Sequence, residues 1–230
     1  MNLTIIIFCY NEKGTLRAVV EAAIRFLETF AERYEVLIID DGSNDGSIAI
    51  AQQLEKENAQ TVKVIAHEVN KGIGMALRTG YAAAQMEYVC AIPADGQFEV
   101  DLLKSVEPFL NDTYYSFYRR KTHYSFYREA LSKFNRLFNQ HVLGIFLRDV
   151  NWIKVYRKQQ LELVKPELTS SIVESEICAK LYKCGVLPTE IPSDYLTRTY
   201  GVSKGGGLKT VFRALAETGK LIWVVMRFKP

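Results

Sequence analysis

Four short apolar runs alternate with amphipathic segments in the first half of the chain, and this alternation constrains the fold more than any other feature. Leu3–Phe8 is nearly continuous in apolar residues, as a strand buried on both faces of a parallel sheet must be. From about Thr15 to Arg33, Leu16, Val19, Val20, Ala23, Ile24, Leu27 and Phe30 recur at helical spacing. Glu35–Ile39 predicts a second strand, 40–46 a turn, and the stretch to about residue 57 a helix. Val62–Ala66 predicts a third strand, Asn70–Gly80 a glycine-bearing segment opening a helix, and Tyr88–Ile92 a fourth strand. Such a rhythm specifies an open, mostly parallel α/β sheet with right-handed crossovers and flanking helices. Sheets of this kind bind ligands outside the carboxyl ends of their strands, and there the first half keeps its unusual polar residues.

Beyond residue 112 the rhythm breaks. Tyr114–Tyr127 is an aromatic and basic stretch of weak period, and 127–142 predicts an amphipathic helix. A hairpin-like region follows at 146–157, then a helix over Glu174–Cys184 ending at Gly185, and an edge strand at Leu187–Pro192. Thr197–Gly207 reads as a basic, glycine-rich loop, and Leu208–Leu215 opens an amphipathic helix that Gly219 interrupts. At 230 residues the chain suits one domain, with a ligand-binding half at 1–112, a second half at 113–205 and a C-terminal amphipathic segment at 206–230.

Charge separates these halves. Residues 1–112 hold 9 Lys+Arg against 17 Asp+Glu, whereas 113–230 hold 20 against 9, so the second half is built to face an anionic partner. Within 113–158 the imbalance is 10 against 2, interleaved with 12 aromatic residues. A solvated basic face over ordinary aromatic core is the plain alternative. Single-stranded nucleic acid would also suit basic and aromatic side chains, but no nucleic-acid module is present and none is expected as a partner. Lys209, Arg213, Lys220, Arg227 and Lys229 flank Leu208, Val211, Phe212, Leu215, Leu221, Ile222, Trp223 and Val225, a pattern suited to a membrane surface or to packing on the domain's own core. No apolar run reaches the roughly 20 residues of a membrane span. Four cysteines without a C-x-x-C pair and only three histidines argue against zinc. Cys9 and Cys90 fall inside strands and read as core. The N-terminus shows no basic signal region, so a reducing, cytoplasmic setting is expected.

Four segments at the strand ends carry the chemistry. Tyr10-Asn11-Glu12 offers a ring to stack on a nucleobase and a carboxylate to accept its hydrogen bonds, although Asn11 also suits a helix cap. Asp40-Asp41-Gly42-Ser43 places two carboxylates side by side, which repel unless ligands, cations or N–H groups hold them; the same residues also make a common turn. Asn70-Lys71-Gly72-Ile73-Gly74 lets backbone approach an anion at a helix N-terminus. Asp95-Gly96-Gln97 puts a carboxylate and an amide within reach of one divalent cation, or forms a β-turn.

Together, in this order, these segments resemble the family 2 glycosyltransferases of the GT-A fold, most closely the dolichyl- or polyprenyl-phosphate sugar transferases. The resemblance covers about 3–205: Y-N-E at Tyr10–Glu12, D-D-G-S at Asp40–Ser43 and N-x-G-x-G at Asn70–Gly74. Arg128-x-x-x-Ser132 matches a helical R-x-x-x-S, and Arg198-x-x-Gly201-x-Ser203-Lys204 matches R-x-x-G-x-S-K. Two departures stand out. Pro93 occupies the first position of the family's D-x-D-x-Q, leaving Asp95 and Gln97, and the segment from Asp149 to Lys154 is shorter than usual and lacks its glycine.

The resemblance implies an inverting transfer of sugar from a nucleotide-diphosphate sugar to a polyprenyl phosphate. Tyr10, Glu12, Asp40, Asp41, Asn70, Gly72, Gly74 and Lys204 would hold the donor. Asp95 and Gln97 would hold Mg2+ or Mn2+, and Arg119, Arg128, Ser132 and Arg198 would act on the phosphates. A phosphate acceptor is already ionised near neutrality, with a second pKa of about 6, and needs no strong base; a sugar hydroxyl would need one, with Asp149 and Glu176 the candidates. The rivals are transfer to a cell-surface glycan and a non-catalytic nucleotide-sugar or membrane-binding module. Peripheral contact with the inner membrane face, alone or through a separate membrane partner, completes the expectation.

Overall fold

In the computed structural model of the chain, residues 1–108, 112–120, 126–201 and 208–230 are described, with backbone alone at 126–128 and 208–211. The elements in order are β1 (Asn2–Cys9), α1 (Leu16–Phe30), β2 (Arg33–Asp40), α2 (Ser47–Glu57), β3 (Val62–Ala66), α3 (Ile73–Ala83), β4 (Tyr88–Pro93), a 3-10 turn (Val100–Ser105), β5 (Thr113–Arg119), α4 (Phe126–Leu143), β6 (Lys154–Arg157), α5 (Lys158–Val164), α6 (Val173–Lys183), β7 (Leu187–Ser193) and α7 (Leu208–Arg227). The four strands and three helices expected before residue 94 all form.

One seven-stranded sheet, ordered β3-β2-β1-β4-β6-β5-β7, spans both halves. β1 to β4 run parallel, and β6 runs antiparallel to both its neighbours. The chain moves outward from β1 to β2 to β3, so right-handed crossovers put α1 and α2 on one face. It then returns past β1 to β4, which carries α3 to the other face. There Tyr81 of α3 donates to Glu174 of α6 at 2.6 Å. The order reverses between β1 and β4, and the crevice outside their carboxyl ends is where such sheets place ligands. Ile5, Ile6, Ile7, Val36, Ile38, Ile39 and Val89 are all fully buried, which explains runs that are apolar on both faces.

The second half departs from expectation in three places. The first part of the aromatic and basic stretch Tyr114–Tyr127 is strand: Tyr114–Arg119 belongs to β5, whose Tyr114, Ser116 and Phe117 are fully buried, so part of the aromatic content is core, while 121–125 lie outside the described residues. The region 146–157 is no hairpin, because β6 pairs with β4 and β5 from elsewhere in the chain. α7 continues through Gly219 rather than breaking there. β7 is an edge strand as expected, pairing with β5 alone. Its Pro188 and Pro192 share parity, which keeps their missing N–H groups on one side of the strand.

Candidate active site

Register brings the strand ends level. Cys9 pairs with Asp40, Asp40 with Ala66, and Phe8 with Pro93. Tyr10, Asp41, His67 and Asp95 therefore leave the sheet along one rim. Continuing backbone bonds carry the ladder past the strands: Asp41 N to Cys9 O at 2.8 Å, His67 N to Asp40 O at 2.8 Å and Ala94 N to Phe8 O at 3.1 Å.

Short polar side chains then brace the loops. Asn11, at φ 56°, donates its N–H to Ser43 Oγ at 2.9 Å, and its side-chain oxygen accepts from Asn44 N at 2.8 Å. Glu12 N donates to Ser47 Oγ at 2.9 Å and Lys13 N to Asp45 Oδ2 at 3.1 Å. The half-buried Tyr10 is carried on this braced turn. Asp40 caps its own turn by accepting from Ser43 N at 3.0 Å.

Asp41 fastens the third segment. Its Oδ1 accepts from His67 Nδ1 at 2.7 Å and Lys71 N at 2.9 Å, and its Oδ2 from Gly72 N at 2.7 Å. His67, the residue just beyond β3, also meets Thr79 Oγ1 at 2.9 Å through Nε2. A neutral ring with its proton on Nδ1 satisfies both contacts, donating to the carboxylate and accepting from the hydroxyl. Asp41 is thus satisfied inside the protein, whereas its neighbour Asp40 keeps a buried Oδ1 without a hydrogen-bond partner among the described residues. The glycines of this region likewise face protein: a Cβ on Gly42, at φ 71°, would meet Asn70 N at 2.6 Å, and one on Gly74 would meet Ser170 O at 2.1 Å. Gly72 and the half-buried Asn70 lie in the loop that Asp41 holds, so the glycine-bearing motif is used first to seat α3 against 169–170.

The convergence at the reversal of strand order comes from the far end of the chain. Arg198 places Nη2 on Glu12 Oε1 and Nη1 3.4 Å from Asp95 Oδ2, bridging the ends of β1 and β4, while Nε donates to Tyr200 O at 2.6 Å. The Tyr200 ring lies against Gly14, where a Cβ would come within 2.5 Å of it. Gln97 binds the same segment, its Nε2 donating to Leu196 O at 3.1 Å and its Oε1 accepting from Tyr195 Oη at 2.9 Å. Burial pushes the Asp95 carboxyl above its ordinary value, against the opposing pull of the Gln97 N–H and Arg198. Burial likewise pushes the Cys9 thiol up to about 12, in keeping with a core role.

Beside this lies a second cluster. Arg119, at the end of β5, grips Asp149 through Nε at 2.6 Å and Nη2 at 2.9 Å, and its guanidinium sits over Trp152 at 4.7 Å and Tyr195 at 5.4 Å. Ser132 is exposed on α4, one turn beyond Arg128, whose side chain lies outside the described residues, as does all of Lys204. Glu176 is excluded as a solvent-facing base. It is fully buried, accepting from Glu167 N and Leu168 N and paired with Lys180 at 2.7 Å. Sequence reasoning missed His67, for which a lone histidine offers no signal, and Tyr195 and Tyr200, which only the fold brings to the rim.

Against this geometry the sequence profile of Glycosyl transferase family 2 matches residues 4–162, more than half of the chain. The chain belongs to glycosyl transferase family 2. Among curated relatives it is similar to the dolichyl-phosphate beta-glucosyltransferases of Homo sapiens, 31% identical over 116 residues, and of Dictyostelium discoideum, 29% identical over 115 residues. The alignments take in 48% and 47% of this chain but 36% and 35% of those proteins, so the match spans about a third of the relatives' length. Among solved structures it resembles glucosyl-3-phosphoglycerate synthase from Mycobacterium tuberculosis in complex with UDP, with a TM-score of 0.71 and 15% identity over 99% of this chain and 81% of that one. A mannosyltransferase from Pyrobaculum calidifontis in complex with GDP-Man and Mn2+ gives 0.63 at 18% identity, covering 99% and 65%. The mostly parallel sheet with flanking helices is the GT-A fold.

Proposed function

We propose that the chain transfers a sugar from a nucleotide-diphosphate sugar to a polyprenyl phosphate of the dolichyl or undecaprenyl kind, with inversion. The observation that carries this reading is the meeting of Glu12, Asp95 and Arg198 at the crevice between β1 and β4, beside Tyr10. The local likeness to dolichyl-phosphate beta-glucosyltransferases supports the acceptor class.

In this reaction an acceptor phosphate oxygen attacks the anomeric carbon and forms the new C–O bond. The bond from that carbon to the donor diphosphate breaks, and its electron pair leaves with the nucleoside diphosphate. The protein's task is to orient the two and to balance charge growing on the leaving group. Tyr10 and Glu12 hold the nucleoside end, and Arg198 faces the diphosphate. Arg119, stiffened by Asp149 and two aromatic rings, serves the acceptor side, to which the resemblance also assigns Arg128 and Ser132, and a guanidinium fork suits phosphate oxygens there. Both carboxylates weighed as bases are engaged, Asp149 by Arg119 and Glu176 by Lys180. An acceptor that arrives already ionised fits that arrangement better than a sugar hydroxyl.

α7 supports a place beside a membrane at the cytoplasmic side. Leu221, Val224 and Val225 face the core, whereas Phe212, Leu215, Trp223 and Met226 form an exposed stripe on the opposite side. Exposed Arg213, Lys220 and Arg227 run along one flank, leaning on Lys71 O, Glu167 O and the Glu167 carboxylate. A helix with a second apolar face and a cationic flank suits lipid head groups. Among the described residues no helix is long and apolar enough to cross a membrane.

The deciding assay offers UDP- and GDP-sugars with polyprenyl phosphate, the corresponding polyprenol, and a hydroxyl-bearing glycan. Glycolipid forming with the phosphate and not with the alcohol is the expected result. Equal transfer to the glycan would favour a surface-glycan acceptor instead.

A further inference from the structure

The charge of a donor diphosphate must be balanced, and the residues around Asp95 bear on how. Asp95 is the one carboxylate within residues 93–97, because Pro93 stands two residues earlier; the next, Glu99, is exposed. Gln97, the second oxygen donor expected there, has its Oε1 engaged by Tyr195 and its Nε2 by Leu196, in a side chain only 7% exposed. Among the described residues no three His, Cys, Asp or Glu side chains gather to hold a metal. The Asp95 carboxylate already faces a guanidinium, with Arg198 Nη1 at 3.4 Å. A divalent cation set on Asp95 would share its single protein carboxylate with that fixed charge. This donor set fits a resident divalent cation poorly.

We propose that Arg198 is the resident cation of the donor site, and that a nucleoside diphosphate binds this chain without a divalent metal ion. The guanidinium is held from three sides, by Glu12, Asp95 and the Tyr200 carbonyl, at the point where the strand order reverses. Such anchoring pre-orients a planar fork that donates two parallel bonds to phosphate oxygens. It also keeps the charge fixed where negative charge develops on the leaving group. The inference rests on the donor-site reading, deepens it, and separates this chain from neighbours solved with Mn2+, among them a mannosyltransferase and a glucosyl-3-phosphoglycerate synthase.

Calorimetric titration of the full chain with UDP and GDP, in excess EDTA and again in MnCl2, tests it. Dissociation constants that agree within about threefold between the two media are expected. Arg198→Ala in EDTA weakens the nucleoside diphosphate by about tenfold or more, while binding of the corresponding nucleoside, which carries no phosphate, is unchanged. Arg198→Lys, which keeps the charge without the fork, falls between. A loss exceeding about tenfold on chelation of wild-type protein overturns the proposal and leaves the donor site standing. An unchanged diphosphate affinity in Arg198→Ala overturns it as well. Binding absent in both media overturns the donor-site reading, and this inference with it.

Discussion

The two sides of the crevice are built differently. On the side of β1, β2 and β3, short side chains one or two bonds from the backbone tie loop to loop: Ser43 and Ser47 to the turn after β1, and Asp41 to the turn before α3. On the other side, long charged side chains reach across from distant segments: Arg198 to Glu12 and Asp95, Arg119 to Asp149, and Glu217 of α7 to Thr169 and Ser170. The first side is a rigid rim whose carboxylates are largely engaged by protein, so its motifs earn their regularity from scaffolding as much as from ligand contact. The second supplies the cations, each held in place by a carboxylate. A site made this way can keep its nucleotide rim constant while the acceptor side varies.

Substitutions that should cost most on one side and least on the other sharpen this contrast. Asp41→Ala deprives three buried or half-buried donors of their acceptor and is expected to lower the unfolding free energy by about 3 kcal/mol or more. Urea denaturation measures it, and a loss below about 1 kcal/mol would break the picture of a fastened rim. Glu217→Ala removes the acceptor of Thr169 N, Thr169 Oγ1 and Ser170 N from a half-exposed site, so a smaller loss of about 1–2 kcal/mol is predicted by the same method. Asp149→Ala releases Arg119 on the acceptor side. Catalytic efficiency toward polyprenyl phosphate should fall about tenfold with the nucleoside diphosphate dissociation constant unaltered; an equal change in both would show that the two sides are not separable.

Two further effects are weaker. Replacing Trp223 and Phe212 together by serine should reduce co-sedimentation with anionic vesicles while the melting temperature stays put, since both are exposed; unchanged vesicle binding would remove α7 from the membrane contact. Asp95 has a raised carboxyl pKa in the folded chain, so folding favours its protonated form. Its stabilising contribution is therefore complete below the ordinary carboxyl value of about 3.9 and is lost as pH rises through the raised value. Asp95→Asn is expected to be slightly more stable than wild type near neutrality, the gap closing as pH falls below that range. A variant less stable at neutral pH would mean that the Arg198 pair outweighs burial.

Much of this architecture was legible in the sequence because the first half obeys one period at a time. Leu3–Phe8 and Glu35–Ile39 are too short and too apolar for anything but buried strands, and Leu16 to Phe30 keep a single helical face. β5 was illegible because three of its four aromatic residues are tyrosines and it runs into Arg119 and Arg120, so that buried Tyr114 resembles half-buried Tyr115 and Tyr118. β6 and α5, of 4 and 7 residues, fall below the length at which a period can be read. Gly219 reads as an interruption because glycine costs helix stability, yet α7 absorbs it on its exposed side, while Leu221, Val224 and Val225 anchor the opposite face. In the site, the residue types of the strand ends were visible, but their partners were not. Nothing local in the sequence says that Asp41 binds Lys71 and Gly72, that Gln97 is claimed by Tyr195, or that Arg198 returns about a hundred residues to meet Asp95.

A crystal structure with a bound nucleoside diphosphate tests the account at its centre. The base should lie against Tyr10 near Glu12, with the diphosphate in the crevice between β1 and β4 and its oxygens within hydrogen-bond reach of Arg198. A nucleotide seated elsewhere on the sheet, or one that leaves Tyr10, Asp95 and Arg198 untouched, would contradict it.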